Sequence, residues 1–153
     1  MTKFANSANI GRLLGAFLLS GLFNMAIIPA TAHEGATGII KERMDKFSEA
    51  RQQMRQMRQA LSDTAKIAEI SQSMLTWAQE MENAFPAGSD GAPSEASPQI
   101  WTDRDGFSSK ITAYHEAILA LNEAALSGDE TATIAAYQAL GASCKSCHRS
   151  YRK

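Results

Sequence analysis

The sequence predicts an all-α protein, an antiparallel up-down four-helix bundle. Apolar side chains recur at intervals of three and four through four separate stretches, and no stretch alternates polar and apolar residues as a half-buried strand does. Two of the three connections between those stretches are only a few residues long, which favours antiparallel neighbours.

The first residues stand apart from the bundle. Lys3 and Arg12 make a basic start, residues 13 to 28 are mainly apolar, and Pro29-Ala30-Thr31-Ala32 ends in small residues. This is the pattern of a secretory signal peptide cut between Ala32 and His33. A membrane anchor needs roughly 20 predominantly apolar residues. Here Gly15, Ser20, Gly21 and Asn24 interrupt a shorter run. Residues 1–32 are therefore expected to be removed, and residues 33–153 to form one periplasmic domain without a membrane attachment. The removed segment carries two basic and no acidic residues, so the remainder is more acidic than the net charge of −1 on the whole chain. No basic run is interleaved with aromatic residues, which argues against a nucleic-acid partner.

The first helix is expected over residues 38 to 61, with Ile40, Met44, Phe47, Met54 and Leu61 at helical spacing. Ser62 and Asp63 are candidate caps for a second helix to about residue 84, whose apolar face is Ile67, Ile70, Met74, Trp77 and Met81. Residues 86 to 98 hold Pro86, Gly88, Gly91, Pro93 and Pro98 and read as a long loop. Loops of that length in a small domain often cover a site. Ile100 and Trp101 at its far end are apolar enough to be anchored in the core. Thr102 or Asp103 starts the third helix, with Thr102 and Asp105 spaced as a capping box. Its inner stripe is Phe107, Ile111, Tyr114, Ile118, Leu121 and Ala125. Gly128 stops it and Asp129 caps the fourth helix. There Ile134, Tyr137, Gly141, Cys144, His148 and Tyr151 follow at steps of 3, 4, 3, 4 and 3.

The chemistry lies on that last stripe. Cys144-Lys145-Ser146-Cys147-His148 is the C-x-x-C-H pattern of covalent haem attachment. Two thiols three residues apart reach two vinyl groups on one porphyrin edge, and the next residue brings an imidazole beneath the iron. A thioredoxin-like pair wants a βαβ context, whereas these surroundings are helical. A zinc site wants further Cys or His ligands at matched spacing.

A haem motif at the end of the last of four helices resembles the class II c-type cytochromes, the cytochrome c′ family. The resemblance covers nearly all of residues 33–153. It includes Ile39-Ile40-Lys41-Glu42-Arg43, Ile100-Trp101 with Phe107, and Cys144-x-x-Cys147-His148-x-x-Tyr151-Arg152. It implies one covalent haem c bound near the C-terminus of the last helix, with His148 as an axial ligand. It also implies that Arg43 contacts a haem propionate, that Arg152 lies near the proximal histidine, and that Trp101, Tyr137 and Tyr151 pack about the cofactor.

The place opposite His148 is filled, by this resemblance, four residues after Arg43, at Phe47. Relatives with Leu or Phe there leave the iron five-coordinate, and those with Met there are six-coordinate electron carriers. Met44, about 60° from Phe47 around the helix, is the rival ligand. His115 is expected to point sideways or outward. His33 is read as a surface residue. The expected role is electron transfer with a redox partner protein, and the alternative is binding of nitric oxide or carbon monoxide at an open site. No acid–base pair accompanies the motif, so no enzymatic activity is expected. The resemblance also brings homodimers formed through the first two helices, which the polar outer face of the first helix neither demands nor excludes.

Overall fold

The computed structural model describes residues 35–153; the signal-peptide segment and His33 lie outside the described residues. The elements are α1 (Gly38–Gln59), α2 (Thr64–Glu80) with a 3₁₀ turn at Met81–Ala84, a single-turn α3 (Gln99–Thr102), α4 (Arg104–Leu126) and α5 (Glu130–Tyr151). No strand occurs among the described residues, only an isolated antiparallel bridge between Ala96 and Arg152. No described helix is long and apolar enough to cross a membrane.

Aspartates set the helix starts. Asp63 accepts the Lys66 N–H at 3.0 Å, and Asp129 accepts the Ala132 N–H at 2.9 Å. Each satisfies one of the backbone donors a helix start leaves unpaired. The expected Thr102–Asp105 box does not form. Thr102 is taken into α3, where its hydroxyl donates to the Gln99 carbonyl at 3.4 Å. Asp103 caps α4 instead, accepting the Gly106 N–H at 3.1 Å. Gly128, at φ +75°, ends α4 in the left-handed region that glycine enters without steric cost.

Side-chain pairs give the helix directions. Gln53 donates to Ser73 between α1 and α2, Asn122 to Ser71 between α4 and α2, Ser108 of α4 to Glu82 in the 3₁₀ turn that follows α2, and Lys110 to Ser146 between α4 and α5. The long helices thus run up and down in turn, as expected. The predicted stripes of α2 and α4 are buried throughout, with Ile67, Ile118 and Leu121 at 0 % exposure. α4 packs most extensively, against both α5 and α2.

α1 and α5 depart from expectation in an informative way. The fully enclosed residue of α1 is Met57, joined by Arg43, while Ile40, Met44 and Phe47 are half-buried. On α5 the enclosed residues are Thr133, Leu140 and Tyr151, the last against Phe107 of α4; Ile134, Tyr137, Gly141 and Cys144 are half-buried and His148 is exposed. The apolar spacing marked the side of α5 turned toward α1. The two helices meet where Tyr137 Oη donates to the Met54 carbonyl at 3.1 Å and Met54 Cε comes 4.0 Å from a Cβ built on Gly141.

Candidate functional site

The motif lies in the last two turns of α5. Cys144 and Cys147 are free thiols, half-buried and packed against the core. Burial pushes both thiols above their ordinary value; the Ser143 hydroxyl opposes this at Cys144, whereas at Cys147 the Cys144 charge adds to it and Lys110 opposes it. Tyr114 lies close enough for Cys144 to add to the upward shift that burial gives its phenol. His148 is pushed down, first by desolvation and then by the Arg152 charge, with Glu95 opposing. That direction favours the neutral imidazole, the form that ligates a metal. Among the described residues no group of three His, Cys, Asp or Glu is arranged to hold a metal ion.

The chain after His148 is clamped. Tyr151 is buried, and its hydroxyl donates to Asp103 Oδ2 at 2.7 Å. That bond raises the phenol to about 12, with burial and the Asp103 charge adding to it. The same carboxylate caps Gly106, and a Cβ there would lie within 2.7 Å of both Asp103 oxygens and 2.5 Å from the Tyr151 hydroxyl. Ser97 N–H donates to the Tyr151 carbonyl at 3.0 Å and Lys153 N–H to the Glu95 carbonyl at 2.8 Å. Arg152 pairs with the Glu95 carboxylate through Nε at 2.6 Å. The backbone of the loop before α3 and the first turn of α4 therefore hold the end of α5 from two sides.

On α1, Phe47 is half-buried. Its ring lies edge-on to Trp77 at 5.4 Å between centroids and tilted against Phe85 at 6.2 Å. Phe85 continues to Phe107 at 4.9 Å, and Phe107 to Tyr151 at 5.3 Å. These aromatic contacts join the two sides of the site through all four long helices and the loop. Met44, the rival ligand, is half-buried and lies outside the set of side chains packed on the core.

Arg43 is 2 % exposed. Its Nη1 donates to the Ala84 carbonyl at 3.1 Å and to Ser89 Oγ at 2.8 Å, and its Nη2 to the Ser89 carbonyl and to Ser94 Oγ at 2.7 Å. Its guanidinium also stacks 4.6 Å from the centre of the Phe85 ring. Desolvation lowers its pKa and the Asp90 charge opposes this. Arg43 thereby fastens the loop to α1. Trp101 does the same from α3, its indole N–H donating to the carbonyls of Phe85 and Pro86 at 3.2 and 3.0 Å. Ile100 beside it is buried, as expected. His115 is half-buried with its Nε2 enclosed and without a hydrogen bond. Sequence reasoning named Asp103 only as one of two candidate helix starts and passed over Gly106, Ser89, Ser94 and Glu95. The one local signal was a glycine in the first turn of a helix, where it is unfavourable.

The residues present fit a covalently held haem: two thiols one turn apart, a neighbouring imidazole kept neutral, and half-buried apolar side chains on the facing sides of α1 and α5. Comparison with known proteins agrees. The family described as Cytochrome C′ matches residues 38–152. A cytochrome c′ of Alcaligenes xylosoxydans xylosoxydans is 42 % identical over 81 residues, covering 53 % of this chain and 58 % of the relative. One of Rhodospirillum rubrum is 41 % identical over 70 residues, covering 45 % and 48 %. The chain thus spans about half the length of these curated relatives. Among solved structures, a cytochrome c′ superposes with a TM-score of 0.70 at 33 % identity, covering 75 % of this chain and 94 % of that one. The nitric oxide complex of a variant of cytochrome c prime from Alcaligenes xylosoxidans superposes at 0.69 with 31 % identity, covering 75 % and 93 %. The chain belongs to the cytochrome c′ family, whose members bind one covalent haem c.

Proposed function

We propose that this chain is an exported, periplasmic monohaem cytochrome that transfers electrons, with Cys144 and Cys147 holding the porphyrin and His148 serving as an axial ligand. A bound haem supplies a one-electron ferric–ferrous couple tuned by its ligands and by burial. What the protein contributes is a fixed frame, because a change of charge that moves few atoms costs little reorganisation. The clamp after His148 is the observation that carries this reading. Asp103 and Ser97 hold Tyr151, one turn beyond the axial ligand, while Glu95 holds Arg152 and Lys153. Voltammetry of the haem-loaded protein tests it. The expected result is one reversible one-electron wave; an irreversible response in solution and on an electrode would refute it.

Phe47 favours a second reading, binding of a diatomic gas. A phenyl group cannot ligate iron, and Trp77 and Phe85 hold this one on the side of α1 where the resemblance puts the distal position. Relatives' structures are described as nitric oxide and carbon monoxide complexes. Ferric and ferrous spectra should be high-spin, and Phe47→Ala should speed carbon monoxide binding. A low-spin spectrum with a methionine–iron band, abolished by Met44→Ala, would overturn the open site.

A further inference from the structure

Basic side chains on most of the molecule have acidic or hydroxyl partners. Lys41 pairs with Asp45, Lys46 with Glu49, Lys66 with Glu69 and Arg104 with Glu82, while Lys110 donates to Ser146. Arg51, Arg55 and Arg58 on α1, and Lys145 and Arg149 on α5, are exposed and form no ion pair among the described residues, Arg51 donating only to the Ser48 hydroxyl one turn back at 3.4 Å. Their spacing is i, i+4, i+7 on α1 and i, i+4 on α5, so each helix carries like charges side by side, an arrangement that by itself weakens a helix. No acidic residue occurs on α1 after Glu49 or on α5 after Glu130.

The two stripes share one side of the molecule. α1 and α5 run antiparallel and meet at Met54, Tyr137 and Gly141. From that seam the arginines follow in the sense of increasing helical rotation on α1, as Lys145 and Arg149 do on α5. Reversing the helix direction turns both stripes to the same outer wall. His148, next to Arg149 in sequence, lies on the stripe of α5 turned toward α1, beside this wall, and is exposed. The protein from residue 33 on has 13 basic and 16 acidic side chains, so this positive wall stands against the sign of the whole.

We infer that the outer wall formed by Arg51, Arg55, Arg58, Lys145 and Arg149 is the docking face for an acidic protein that exchanges electrons at the His148 end of α5. This rests on the electron-transfer reading. Guanidinium groups fork onto carboxylates, and a focused field of one sign raises encounter rates. The interleaved glutamines Gln52, Gln56 and Gln59 keep α1 polar without opposing charge.

The tests use haem-loaded protein. A fluorescein-labelled decaglutamate peptide should bind at low salt by anisotropy. Binding should weaken about tenfold or more in Arg55→Gln/Arg149→Gln and stay unchanged in the off-face control Lys66→Gln. Equal loss in the control, or no loss in the double variant, overturns the face. Stopped-flow oxidation by hexacyanoferrate(III) should slow as ionic strength rises, although the net negative charge alone demands acceleration. Acceleration overturns the proposal. Peptide binding that follows the face, with no electron exchange with hexacyanoferrate or hexaammineruthenium, upholds an acid-binding wall and removes the electron-transfer reading. Stronger, face-dependent binding to phosphatidylglycerol vesicles than to the peptide at about 0.15 M salt would make the occupant a lipid surface and overturn the assignment to a protein.

Discussion

Gly106→Ala sets helix propensity against tertiary geometry, and the two give opposite signs. Ala is better than Gly inside a helix by about 1 kcal/mol, so local preference alone makes the variant more stable. The new Cβ, however, would come within 2.7 Å of both Asp103 oxygens and 2.5 Å from the Tyr151 hydroxyl. Neither neighbour has an easy retreat. The carboxylate is engaged with the Gly106 N–H and with Tyr151, and the Tyr151 ring lies edge-on to Phe107. Losing the cap costs about 1 kcal/mol, and forcing an extra methyl into a packed place costs about 1–3 kcal/mol. Set against the propensity gain, the net loss is about 1–3 kcal/mol. Urea unfolding of the haem-loaded protein, followed by far-ultraviolet circular dichroism, measures it through the midpoint at unchanged slope. A midpoint equal to or above the parent's would refute the clamp.

Three further perturbations test other parts of the same frame. Arg43→Ala removes four donor contacts from a buried position and should cost about 2–4 kcal/mol; limited proteolysis should then cut within residues 85–97 sooner, and an unchanged digestion pattern would refute the fastening role. Leu140→Ala truncates a core side chain of α5 at 0 % exposure, with an expected loss of about 2–5 kcal/mol, read by the same unfolding assay. Tyr151 is held protonated in the fold, so its contribution is complete below its ordinary value of 10 and is lost as pH rises from there through about 12. Melting temperatures of parent and Tyr151→Phe should therefore converge across that window, and a constant gap would show that the phenol does not titrate with folding.

The spacing of apolar residues on α2 and α4 was enough to name their buried faces, because those helices pack against neighbours along their whole length and burial there follows the local period. The same reasoning chose Ile40, Met44 and Phe47 on α1 and missed Arg43 and Met57. A charged side chain reads as surface until the partners that satisfy it are known. Arg43 is buried because Ala84, Ser89 and Ser94, about 40 to 50 residues further on, supply acceptors. The thiols and imidazole of Cys144, Cys147 and His148 needed no tertiary information either, since their chemistry depends on adjacency along one helical turn. Whether Thr102 or Asp103 would cap α4 was beyond local reasoning, because α3 first had to claim Thr102. By itself, then, the sequence determined the helical class, the order of the helices and the C-x-x-C-H segment on which the proposed haem attachment rests, all consequences of short-range periodicity and spacing. Only the tertiary structure decided that Asp103 and Gly106 grip Tyr151, that Arg43 ties down the loop, and that two basic stripes share a wall. Each of these joins residues far apart in the chain, and helical periodicity carries no information about which distant side chain will complete a hydrogen bond or share a face.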